Sequence, residues 1–379
     1  EEVHRIYRKD LKDVISYLLT IKDSPSKDDE KPEYGEPYHI AINSVRGRAY
    51  EAFVVFTEND GKILAEDVRN IYKQTLLDMS LAVRFVIGRY LPSFYFRDKE
   101  FIKALFPEIF PKDNTDKKDV YLATWEGYLS TTLYDQLFVE LKDYYEHAIS
   151  LDSEEYTKRK YLSGLDESLA VHLALAFAHL GLKIEDSLFI EFWSKPNTIR
   201  QHEFISFIGR SVISRDQASN EWLEENKVSK DKLIQFWDWT LGNQNIKDPK
   251  IFAGFGFWIN PNKEILTDAT LVPRIAKTLK RSNGDIDWDY GLLNRIEVFA
   301  KVNPAETLEV VKNFLLDSVG NLNQHRHLPL GYRDEIKEAL KIVYSSGGEH
   351  KQKVSDLVNI LIEKGSMLFW GLKEVMEGD

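Results

Sequence analysis

The 379-residue sequence contains no cysteine. Disulfide frameworks, cysteine-bound zinc, iron–sulfur clusters and thiol catalysis are excluded together. No apolar run reaches the roughly 18 residues that a membrane-spanning helix needs. There is no Asn-x-Ser/Thr acceptor and no charged-then-apolar leader, so the expected compartment is the cytoplasm. A phosphate-binding G-x-x-x-x-G-K-[ST] loop and a G-x-S-x-G nucleophile elbow are also missing. These absences predict a chain that takes no cofactor and neither binds nor hydrolyses nucleotide. Positive charge is the scarcer sign: 50 Lys and Arg stand against 61 Asp and Glu, a net of −11. Such a surface repels a phosphate backbone over most of its area, which argues against nucleic acid as a partner.

Apolar residues make up 43% of the chain and aromatics 12%, enough to fill a packed core. Their spacing is helical almost everywhere, and alternation of period two is absent over any useful length. Val3, Ile6, Tyr7, Leu11, Val14, Ile15 and Leu18 repeat at helical spacing from the first residues, which suggests a fragment of a longer protein. Near the other end, Leu292, Leu293, Ile296, Phe299 and Ala300 form one face of a helix running to about Val302. Asn303-Pro304-Ala305-Glu306 then reads as cap, first helical residue and capping-box acid of the next helix. Two helices joined so tightly fold back as a hairpin. Ser229 opens a further helix, and Pro273 is expected to break or begin one at 272–274. The predicted fold is all-α, with about fifteen helices. A bundle-like part spans 1–150, and an irregular stack of helical hairpins, akin to HEAT, armadillo or TPR arrays, spans 151–379. The joint is placed at 146–165. Residues 23–37, with six acids and three prolines, are expected to form an exposed, mobile loop.

The chemistry-bearing residue types form no motif that stands up. Gly254-Phe255-Gly256-Phe257-Trp258 has two glycines without the third, or the preceding strand, that a pyrophosphate cradle requires. It reads as a loosely packed turn in which Phe257 and Trp258 are structural. His202-Glu203 begins like a zincin helix, but Ser206 stands where the second histidine belongs. His325 and His327 lie two apart with no third ligand in view. His172 and His179, on a very apolar helix, are expected to pack rather than ligate. Aromatics explain most of the eight tryptophans as core, leaving one or two as exposed anchors for a protein partner.

Two basic features remain. Ser44 or Asn43 caps a helix with Val45, Ala49, Ala52, Phe53 and Phe56 on its inner face. Gly47 there costs about 1 kcal/mol against alanine, which points to close helix approach. Arg46, Arg48 and Tyr50 are left to pair with an acid or with a partner. Further on, Arg274, Lys277 and Arg281 fall at i, i+3 and i+7 with Lys280 beside them, so four cations share one side of a helix. Such a strip is either a solvated face complemented by acids on an adjacent helix or a docking strip for an acidic partner.

Three stretches carry a family resemblance. They are Asn43-Ser44-Val45-Arg46-Gly47-Arg48-Ala49-Tyr50-Glu51-Ala52; Phe255-Gly256-Phe257-Trp258 followed by Ile286-Asp287; and Asn303 to Leu308 followed by Gly331-Tyr332-Arg333-Asp334-Glu335-Ile336. Together, over about 38–345, they resemble the C-terminal helical-repeat region of large bacterial STAND-type NTPases and related anti-phage defence proteins. The resemblance implies a sensor that binds an invading phage protein, in a parent protein whose NTPase and effector parts lie elsewhere. A stand-alone helical scaffold is the second reading. An enzyme whose acids meet in a cleft between the two halves is the third.

Overall fold

Caps written in the sequence start many of the helices. The Ser44 hydroxyl accepts from Gly47 N and opens helix Val45–Glu58, while Asn303 accepts from Glu306 N and opens Pro304–Leu315. Ser229 does the same for Lys230–Gly242. The computed structural model describes residues 2–31, 36–60, 63–151, 164–214, 220–259, 266–323 and 333–377. Among them there are 24 α-helices and no strand, only an isolated antiparallel bridge between Leu316 and Leu322. The fold is all-α. The helices outnumber the expected fifteen because several are short and follow one another almost without a gap. Leu91–Arg97, Lys99–Ala104 and Phe106–Ile109 are three such helices in succession. Likewise the helix expected to run to Val302 is two, Asp289–Leu293 and Ile296–Val302. Pro273 lies inside helix Asp268–Arg281 instead of at its end. Only one intrahelical bond is lost at a proline, and burial of Leu271, Val272, Ile275, Ala276 and Leu279 offsets it.

The chain divides into two compact units, Glu1–His172 and Leu173–Asp379. Most of the expected joint, 146–165, lies outside the described residues, as do His325, His327, Gly331 and Tyr332.

In the first unit, helices Leu81–Arg89 and Lys118–Leu129 cross at two glycines. A Cβ on Gly88 would lie 1.8 Å from the Thr124 carbonyl oxygen, and one on Gly127 would lie 1.9 Å from that of Phe85. Backbone meets backbone there, which only glycine permits. Gly47 is used in the same way against the carbonyl of Ala41, 2.1 Å from a would-be Cβ. Of the expected loop 23–37, residues 32–35 lie outside the described residues; 23–31 are largely exposed, as expected, and are hydrogen-bonded to the helices beside them. Arg46 N donates to Ser24 O, Val45 N to the Ser24 hydroxyl, and the Glu30 carboxylate accepts from Ala82 N and the Ser80 hydroxyl.

The second unit is built on aromatic contacts. Trp237 stacks on Phe255 with centroids 4.7 Å apart and donates its indole N–H to Thr278. Trp258, fully buried, donates to the Ile205 carbonyl at 2.9 Å. The turn Gly254–Trp258 is a tight 3-10 helix, not a loose one. A Cβ on Gly256 would meet the Asp287 carbonyl oxygen at 1.7 Å.

Candidate functional site

Helix Asp268–Arg281 starts on the Thr267 hydroxyl, which accepts from Thr270 N. Its apolar face turns inward, so the cations fall on the other side by the 3.6-residue period. They line a groove of about 620 Å³ with Pro273, Asp238, Leu241, Gly242 and Gln244. Four cations face one carboxylate in this groove, against the −11 of the whole chain.

The four are not equivalent. Arg281 donates to the carbonyls of Leu241, Asn243 and Ile246 at 2.8, 3.1 and 2.5 Å and lies over the Phe252 ring at 4.4 Å. Its guanidinium thereby closes the C-terminal end of helix Lys230–Gly242 and the loop after it, serving groups that a helix end leaves unpaired. Arg274 donates to Thr270 O at 2.8 Å and to the Asp238 carboxylate at 2.6 Å. Lys277 and Lys280 are exposed, and no described carboxylate pairs with either. One turn apart on a helix, they sit close enough to engage the same anionic segment. The sequence strip therefore separates into Arg281, which closes a helix end, Arg274, which pairs with Asp238, and two lysines with no described carboxylate partner.

The other two candidate cations are placed differently. Arg46 is only 8% exposed. It pairs with Asp78 at 2.6 Å and donates to the Pro25 carbonyl, anchoring the 23–31 segment to helix Val45–Glu58. Arg48 is exposed and pairs with Glu51 on its own helix at 2.5 Å. Arg46 borders a second pocket, of about 600 Å³, but cations and carboxylates are nearly balanced around it. Lys22, Lys27 and Arg46 face Glu30 and Asp78.

The described histidines that the sequence singles out, His172, His179 and His202, make contacts within the fold. No group of three or more potential metal ligands occurs among the described residues. His202 pairs with Asp287 at 2.7 Å, while Ser206, one turn further along, is fully buried. His172 is buried between the Tyr145 hydroxyl, 2.7 Å from Nδ1, and the Thr131 carbonyl, 3.0 Å from Nε2. A carbonyl can only accept, so the proton sits on Nε2 and Nδ1 accepts from Tyr145. Burial holds the pKa of His172 down at about 4. The unfolded imidazole titrates near 6.5, so the folded state binds fewer protons between those values. Stability is therefore full above about pH 6.5 and declines as the pH falls toward 4. Denaturant titrations across pH 4–7 should show this slope, and His172→Gln should flatten it.

The tryptophans divide as well. Trp288 and Trp370 are about half exposed, whereas Trp125, Trp193, Trp237 and Trp258 are buried. Trp288 also holds a left-handed backbone conformation, at φ 51°, and stacks on Phe257.

Asp238 is the groove residue that the sequence does not announce. It lies 36 positions from Arg274, and no helical spacing links them. Comparison of the chain with protein-family models, curated proteins and solved structures gives no match. No helix among the described residues is long and apolar enough to cross a membrane.

Proposed function

We propose that this chain recognises a protein, and that its groove on helix Asp268–Arg281 takes an acidic segment of the partner. The observation that carries this reading is the pair Lys277 and Lys280, exposed and without a described counter-ion, on one wall of the groove. In a chain with 61 acids, cations left unpaired beside a concavity favour an anionic visitor. Two lysines make few phosphate contacts, so a protein carboxylate cluster suits them better than nucleic acid. We propose further, on the short motifs of 43–52 and 303–308 alone, that the role is that of a sensor region of a STAND-type defence protein, with a phage protein as the partner and the chemistry residing outside this chain.

The test is a titration of the full chain with a fluorescein-labelled glutamate-rich peptide at low ionic strength, followed by anisotropy. The double reversal Lys277→Glu and Lys280→Glu should weaken binding about tenfold or more, the equivalent of about 1.4 kcal/mol. Because both side chains are exposed, the melting temperature should move by no more than about 1–2 °C. Unchanged affinity in the double variant contradicts the reading. So does an oligonucleotide that binds as tightly as the peptide.

A further inference from the structure

We infer that Asp238 is an internal competitor for the groove. Its carboxylate occupies on Arg274 the position that a carboxylate of the acidic partner takes when bound. The inference rests on the groove reading above and adds a third contact to the two lysines.

Arg274 is anchored independently of Asp238. One guanidinium nitrogen donates to Thr270 O at 2.8 Å within the same helix, while another reaches Asp238 at 2.6 Å. The fork therefore stays aimed at the groove whether or not Asp238 remains on it. Asp238 is the more exposed member of the pair. Its side chain is 48% exposed, against 20% for Arg274, and Arg274 is its described ion-pair partner. An ion pair open to water on one side binds weakly, so exchange for another carboxylate is easy. Arg274 and Lys277 are neighbours at i and i+3, which lets a ligand that displaces Asp238 span the arginine and the lysines together. Arginine also favours this exchange, since its planar fork matches any carboxylate equally well. The consequence is selectivity: a ligand with a single carboxylate gains little over Asp238, whereas a clustered acidic segment reaches three cations.

The glutamate-rich peptide serves as the probe. Asp238→Asn should raise its affinity about three- to tenfold and steepen the salt dependence, because the vacated arginine adds one ion contact. Adding Arg274→Gln to Asp238→Asn should cancel that gain, and Arg274→Lys should keep part of it. Circular dichroism melting confirms that each variant is folded. If Asp238→Asn leaves affinity unchanged or lowers it while the lysine reversal still weakens binding, the competitor role is overturned and the groove reading stands. A gain that survives Arg274→Gln also overturns it, because removal of negative charge alone then explains the effect. If the wild-type chain and every variant ignore the peptide, the groove reading itself has failed.

Discussion

Replacing Trp258 with alanine should destabilise the second unit by about 3–5 kcal/mol, the cost of removing a large aromatic from a packed core. The residue is fully buried. It touches Phe236, Trp237 and Phe255, with ring centroids 6.0, 5.3 and 5.1 Å away. Truncation opens a cavity in the middle of that cluster and leaves the Ile205 carbonyl without its indole donor. For a unit of this size the melting temperature should fall by roughly 10 °C or more. A shift of under about 2 °C would show that the aromatic cluster is not what holds the second unit together. Trp258→Phe keeps most of the volume and loses the N–H, so it should cost clearly less.

An equally large loss is expected from adding one methyl group at Gly127. Its Cβ would lie 1.9 Å from the carbonyl oxygen of Phe85, and the reciprocal contact at Gly88 is as tight. Overpacking usually costs about 1–3 kcal/mol, because side chains move aside. Here the obstacle is backbone on a facing helix, so the whole crossing of Leu81–Arg89 and Lys118–Leu129 must widen. That separation would also loosen the packing around the fully buried Trp125 and Tyr128. We expect Gly127→Ala and Gly88→Ala alike to lie at or beyond the upper end of that range. Thermal melts of both variants provide the check. Gly242→Ala is a suitable control, since nothing lies within 4 Å of its would-be Cβ.

Local features were legible in the sequence, and the residues show why. Ser44, Ser229 and Asn303 cap because a short polar side chain reaches its own helix, a relationship confined to four residues. Gly47 is costly in a helix interior, so its presence signalled a close approach, which the Ala41 carbonyl supplies. The four cations on helix Asp268–Arg281 share a groove because a fixed helical period puts them on one side. Contacts between distant segments were not legible. Gly88 and Gly127 lie in runs apolar enough to be helices anyway, and their pairing depends on a crossing that no spacing encodes. Composition marks 23–37 as an exposed loop but says nothing of what its described part 23–31 touches, namely the Arg46 guanidinium and the start of helix Leu81–Arg89. Pro273 reads as a boundary in sequence because a single residue carries no trace of the buried face on either side of it. Asp238 was invisible for the same reason. One acid among 61 gains meaning only when folding brings it to Arg274.

The most direct test of acidic-segment binding is lysine footprinting of the full chain, with acetylation at each lysine read by mass spectrometry. Saturation with the glutamate-rich peptide should protect Lys277 and Lys280. Lys301 and Lys312, on other helices of the same unit, should react as before. Protection elsewhere, with Lys277 and Lys280 still fully reactive, would contradict the assignment of the groove as the recognition site.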